Sequence, residues 1–130
     1  MLAFGMPMGP IELVDMVGLD VAMAAGKSLA GGAAEAPRCL RERFDAGQLG
    51  KKTGRGFYDY AQGKAAKGAA GTAPAGLAER LVAPLIARTQ TLVSDGIVAD
   101  ADLADAGVIF GTGFAPFTGG PLNYWKSAKG

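Results

Sequence analysis

The stretch GQLGKKTGRGFYDY, Gly47 to Tyr60, decides between two folds. If its glycines and lysines cradle phosphate, the chain needs a strand before them and an α/β architecture. If they form a tight turn, nothing else in the sequence demands a sheet. A phosphate loop requires G-x-x-x-x-G-K-[ST] after an apolar strand. Here two lysines separate Gly50 from Thr53, and the position five residues before Gly50 is Asp45. The preceding segment, RCLRERF, carries a helical pattern. A nucleotide-binding loop at Gly50–Thr53 therefore fails on spacing and context. The better reading is a turn in which Gly54 and Gly56 supply unusual backbone angles and Phe57 and Tyr58 anchor the segment on helices.

Working outward, Pro10 followed by IELVDMVG reads as a short helix with proline at its first position and Gly18 as its stop. Asp20 is placed to cap a second helix, VAMAAGKSLA. A third, RCLRERFDAG, follows Pro37. Phe57 to Tyr60 is extended, and residues 61–76, AQGKAAKGAAGTAPAG, have linker composition. Beyond them, Leu77, Leu81, Val82, Leu85, Ile86, Leu92 and Val93 share one face of a long helix. Pro84 lies within it and bends it. Asp100 or Asp102 caps LADAGVIF, and GGPLNYWKSA closes the chain with a helical turn or two. The fold class is all-α.

A shift of 106 positions places Phe4-Gly5 on Phe110-Gly111, Pro10 on Pro116 and Ile11 on Phe117. Both stretches read aromatic-glycine, then proline five residues after the glycine, as a repeated glycine-proline corner would. On that reading two helices precede the second corner and almost nothing precedes the first, so the first unit is truncated. The apolar surface around Ile11, Leu13, Val14 and Val17 is then expected to be under-covered, needing the 77–95 helix or a second chain.

Composition bounds the chemistry. The 130 residues carry a formal charge of +1, with 13 basic and 12 acidic side chains and no histidine. A near-neutral chain without a clustered basic excess argues against a nucleic-acid surface. No apolar run suggests a membrane span and no secretory leader is visible, so a cytoplasmic location is expected. The lone Cys39 forms no internal disulfide, and without histidine a zinc site is not expected. Cys39 lies near Arg38 and Arg41, which favours a thiolate, but with no imidazole to activate it a packed cysteine is the better reading. Glu12 and Asp15, three apart on one helix, could act as an acid–base pair, although complementing the helix dipole is the simpler role. GTGFAPFTGG, Gly111 to Gly120, departs from a dinucleotide fingerprint because Pro116 replaces the last glycine and a helix precedes it.

FGMPMGPIELVDMVGLD together with GKKTGRGFYDY resembles the C-terminal domain of L-3-hydroxyacyl-CoA dehydrogenases of fatty-acid β-oxidation. ERLVAPLIARTQTLVSDGIV and DADLADAGVIFGTGFAPFTGGPLNYW resemble the second copy of that domain in multifunctional fatty-oxidation α-subunits. The resemblance implies two tandem helical units like the C-terminal domain of 6-phosphogluconate dehydrogenase. Residues 1–60 would form a partial first unit, 61–76 a linker and 77–130 a second unit. In that family a separate Rossmann domain binds NAD and carries a catalytic His-Glu pair. The C-terminal domain closes over acyl-CoA and contributes an asparagine. By that resemblance no catalytic residue lies in this chain, which also shows Glu79-Arg80 where the first copy of the family has Asn-Arg. The chain itself would bind no cofactor and be catalytically incomplete alone. Met8, Gly9 and Pro10 would line the substrate cleft, and the chain would self-associate or pack with other enzyme domains. A helical scaffold or oligomerisation module without acyl-CoA contact is the alternative.

Overall fold

The computed structural model describes residues 1–32, 35–69 and 71–129. By contact the chain forms two compact units, one of Met8–Gly71 and one of Met1–Pro7 with Thr72–Gly130. The fold is mostly helical, with a single two-stranded sheet among the described residues.

The Met8–Gly71 unit begins with α1, Pro10–Val17, with proline at its first turn and Gly9 at its N-cap. Gly18 ends α1 and also opens α2, Leu19–Leu29, at φ 105°, a backbone angle that L side chains rarely adopt. Asp20 is thus not the N-cap expected from sequence: it lies inside the first turn of α2 and pairs with Lys52 instead. After α3, Arg38–Asp45, the chain enters the glycine-rich stretch, whose lysines form a single 3-10 turn, Lys51–Thr53.

Strand β1, Asp59–Ala61, pairs antiparallel with β2, Lys64–Ala66, Tyr60 lying opposite Ala65. Gln62 and Gly63 both have positive φ, 51° and 76°. That combination makes the two-residue hairpin turn whose twist suits paired strands. The first residues of the stretch with linker composition are therefore ordered as a hairpin. Composition hid this because alanine and lysine are weak strand formers, and the turn angles decide the outcome.

In this unit Leu19 is the fully buried apolar side chain among the described residues. Ile11, Leu13, Met16, Val17 and Val21 remain 43–49 % exposed. The expectation of an under-covered apolar surface on α1 holds for Ile11, Leu13 and Val17, while Val14 is half-buried.

The second unit packs α4, Leu77–Ser94, against α5, Ala101–Thr112, and α6, Pro121–Lys129. Asp100 caps α5 by accepting the N–H of Leu103 at 2.8 Å, as its position suggested. The buried face of α4 runs through Val82, Ile86 and Thr89, and Leu81 is 47 % exposed. Thr89 reaches the core because its hydroxyl donates to the Leu85 carbonyl at 2.8 Å, so burial leaves no polar group unpaired. Val82, Ile86 and Phe114 form the core, joined by Met1, Phe4, Met6, Leu85, Val108, Ile109, Tyr124 and Trp125.

The 106-residue register does not carry into the elements. Pro10 opens α1, but Pro116 opens only the 3-10 turn Pro116–Thr118, and the following helix starts at Pro121.

Candidate functional site

Met8, Gly9 and Pro10 stand together at the start of α1. Met8 and Gly9 are half-buried and Pro10 is exposed. Gly9 has φ −78° and ψ 159°, and a Cβ built there meets no atom within 4 Å. Its lack of a side chain is therefore not forced by the fold: it leaves open space beside the backbone. No side chain caps α1, so the partial positive charge of its first-turn amides is available to a carbonyl or phosphate oxygen.

What fixes α1 is Asp15, which is 0 % exposed. Its two carboxylate oxygens accept the backbone N–H groups of Phe57 and Tyr58, each at 2.9 Å. Gly50 and Gly56 press directly on this residue: a Cβ at Gly50 would strike the Asp15 carbonyl, and one at Gly56 its carboxylate. Gly50 is required for close approach to the Asp15 backbone and Gly56 for close approach to its buried carboxylate, not for holding phosphate.

The other parts of the apparent phosphate loop are engaged as well. The Thr53 hydroxyl accepts the Leu49 N–H at 2.9 Å and lies 3.0 Å from the Arg55 carbonyl, to which it can donate. Lys52 pairs with Asp20, whose carboxyl is held below the usual range chiefly by that lysine. The Arg43 guanidinium stacks 4.2 Å from the centre of the Phe57 ring. Burial pushes the Tyr60 phenol up to about 12, and the negative field of Asp15 adds to it. The Tyr60 hydroxyl is buried beside the Asp15 carboxylate, an acceptor that favours the protonated phenol.

Glu12 and Asp15 are not an acid–base pair. Glu12 pairs with Lys67, Nζ to Oε2 2.6 Å, while both oxygens of Asp15 are engaged by the turn. Dipole complementation does not describe Asp15 either, since it works across the chain and not along its own helix.

The second unit repeats the device. Asp105 on α5, 2 % exposed, accepts the N–H of Leu122 at 2.7 Å and of Asn123 at 3.0 Å, with the Asn123 side-chain amide also at 3.0 Å. Gly120 lies against it as Gly56 lies against Asp15. Neither aspartate was legible as a clamp. The available signal was an acidic residue set between apolar neighbours, followed at a distance by paired or near-paired glycines. Cys39 is exposed and free, contrary to the packed cysteine expected.

Residues 1–60 match the family model for the 3-hydroxyacyl-CoA dehydrogenase C-terminal domain. The chain is 35 % identical over 144 residues to a fatty acid oxidation complex subunit alpha of Shewanella sp. strain MR-7. It is 37 % identical over 141 residues to the subunit of the same description from Shewanella baltica strain OS155. Each alignment takes in 95 % of this chain and 20 % of the relative, so the chain spans about a fifth of the length of these proteins. Among the described residues no helix is long and apolar enough to cross a membrane.

Proposed function

Because residues 1–60 match the family model for the 3-hydroxyacyl-CoA dehydrogenase C-terminal domain, we propose that this chain supplies the substrate-cleft wall and association region of such an enzyme in fatty-acid oxidation. The observation that carries the reading is the open Gly9 corner inside the matched segment. Met8, Gly9 and Pro10 line the cleft, where a side-chain-free backbone lets an acyl-CoA thioester lie against the start of α1. Hydride transfer to NAD takes a cofactor site and a base that removes the hydroxyl proton. This chain has no histidine, so on this reading the imidazole base and the NAD site reside in another domain.

The test is calorimetric titration with acetoacetyl-CoA, alongside an assay of NADH oxidation on the same substrate. Binding without turnover is the expected pair of results. Turnover by this chain alone overturns the assignment of chemistry to another domain, and absence of binding overturns the cleft-wall role.

One observation favours the second reading, a helical scaffold that joins other domains. The apolar face of Ile11, Leu13, Met16, Val17 and Val21 is half exposed, which suits a surface that other protein covers. A chain that binds no acyl-CoA but associates through this face fits the scaffold alone.

A further inference from the structure

The seven residues before the corner pack into the unit formed by the other end of the chain. Their backbone bonds close on themselves: Phe4 N–H donates to Met1, Gly5 N–H to Leu2 and Met6 N–H to Met1. What joins them to residues 72–130 is side-chain fit. The Phe4 ring makes T-shaped pairs with Phe114, ring centres 5.6 Å apart at 77°, and with Tyr124, 5.2 Å apart at 82°. Gly5 has φ 100°, and a Cβ there would run into the Phe117 ring. Pro7 lies so close to Gly113 that a Cβ on that glycine would sit 2.9 Å from its ring.

Each position is therefore read differently. Residue 4 must be aromatic to satisfy two edge-to-face partners. Residue 5 must be glycine, both for its backbone angle and for the ring above it. Proline at 7 brings a fixed backbone angle and a ring that only Gly113 leaves room for. Met1 and Met6 pad the same core cluster.

We propose that residues 72–130 form a recognition site for a Phe-Gly-x-Pro segment, occupied in this chain by Phe4–Pro7. The segment is held as a bound peptide is held, through an aromatic pocket and shape, with no strand pairing. Pro7 is the last residue gripped, and Met8, the first residue of the candidate cleft wall, follows it directly in the chain. That last step rests on the cleft-wall reading, whereas the recognition itself does not.

Trp125 is the single tryptophan of the chain and packs on the same cluster, so it reports occupancy. In the intact chain carrying Phe4→Ala, acrylamide quenching of Trp125 is expected to rise at least twofold. A synthetic heptapeptide, MLAFGMP, added on the order of millimolar to replace the lost effective concentration, is expected to restore the shielding saturably. The same peptide with alanine at position 4 is expected to do nothing. Phe4→Leu keeps apolar bulk without the ring edges and gives an intermediate result, which covers the case in which the alanine variant loses its fold. Hydrogen exchange at the Phe57 and Tyr58 amides should not change in any of these. Unchanged quenching in both variants, or equal action of the two peptides, overturns the proposal. Peptide rescue in a chain that binds no acyl-CoA would retain the recognition site and remove only its link to the cleft.

Discussion

The carboxylate of Asp15 accepts the backbone N–H of Phe57 at 2.9 Å, joining positions 42 residues apart. Leu122 donates to Asp105 in the same way at 2.7 Å. A buried carboxylate is costly unless it is hydrogen-bonded, and charge-assisted bonds from two successive amides are among the strongest a backbone can offer. In the Met8–Gly71 unit, Leu19 is the fully buried apolar side chain among the described residues. There the clamp carries a share of the organisation that apolar packing carries in the other unit.

Replacing Asp15 by alanine strands two part-buried amides and should cost about 3 kcal/mol, the low end for two bonds to a charged group at about 1.5–3 kcal/mol each. Asp105→Ala should cost a similar amount. Glu12→Ala, which removes only the surface pair with Lys67, should cost less than about 1 kcal/mol. Urea midpoints of the three variants at pH 7 give the comparison. Equal losses for Glu12 and Asp15 would count against the clamp.

Glycine scanning separates close approach from mere flexibility. Gly56→Ala drives a methyl into the Asp15 carboxylate and should cost more than about 2 kcal/mol, in the range of overpacked cores. Gly26, inside α2, has nothing within 4 Å of a built Cβ. Gly26→Ala should stabilise by about 0.5–1 kcal/mol through helix propensity and a less free unfolded chain. Thermal midpoints should move in opposite directions.

How much of this was legible varies with the range of the interaction that decides it. Helix boundaries at Pro10, Pro37 and Asp100 follow from local rules, and the structure keeps them. The Asp20 cap failed because Gly18 alone accommodates the backbone there, while Lys52, 32 residues away, draws the carboxylate aside. Thr89 does not stand out on α4 because its burial depends on a bond to Leu85 that hydrophobic periodicity does not register. Both clamps escaped for the same reason: an aspartate and its amides, far apart in sequence, carry no spacing rule. The Met8-Gly9-Pro10 corner came from family resemblance, and its openness at Gly9 is visible only in three dimensions.

Alkaline pH should unfold the chain through Tyr60. The folded state holds this phenol at about 12, above the 10.0 of a free tyrosine, so the neutral form is favoured by folding. The stabilisation is complete below about pH 10 and is lost as pH rises toward 12. Tyr60→Phe removes this dependence. Denaturation curves from pH 8 to 12 should diverge between the two chains, and parallel curves would sink the assignment. At the acid end the sign reverses: the lowered carboxyl of Asp20 contributes above 3.8, and that contribution fades as pH falls through its folded value.

The corner itself gives the most direct test of function. Gly9 has backbone angles any residue adopts and open space where a Cβ would project. Gly9→Ala should therefore leave stability within about 1 kcal/mol, the N-cap preference for glycine over alanine being the main cost. If an acyl-CoA lies against this backbone, the same methyl occupies the substrate's place and weakens binding at least tenfold, or about 1.4 kcal/mol. Titration of wild-type and variant chains with acetoacetyl-CoA, paired with their thermal midpoints, separates the two effects. An alanine variant that binds as tightly as the parent chain would show that the open space at Gly9 is not where substrate lies.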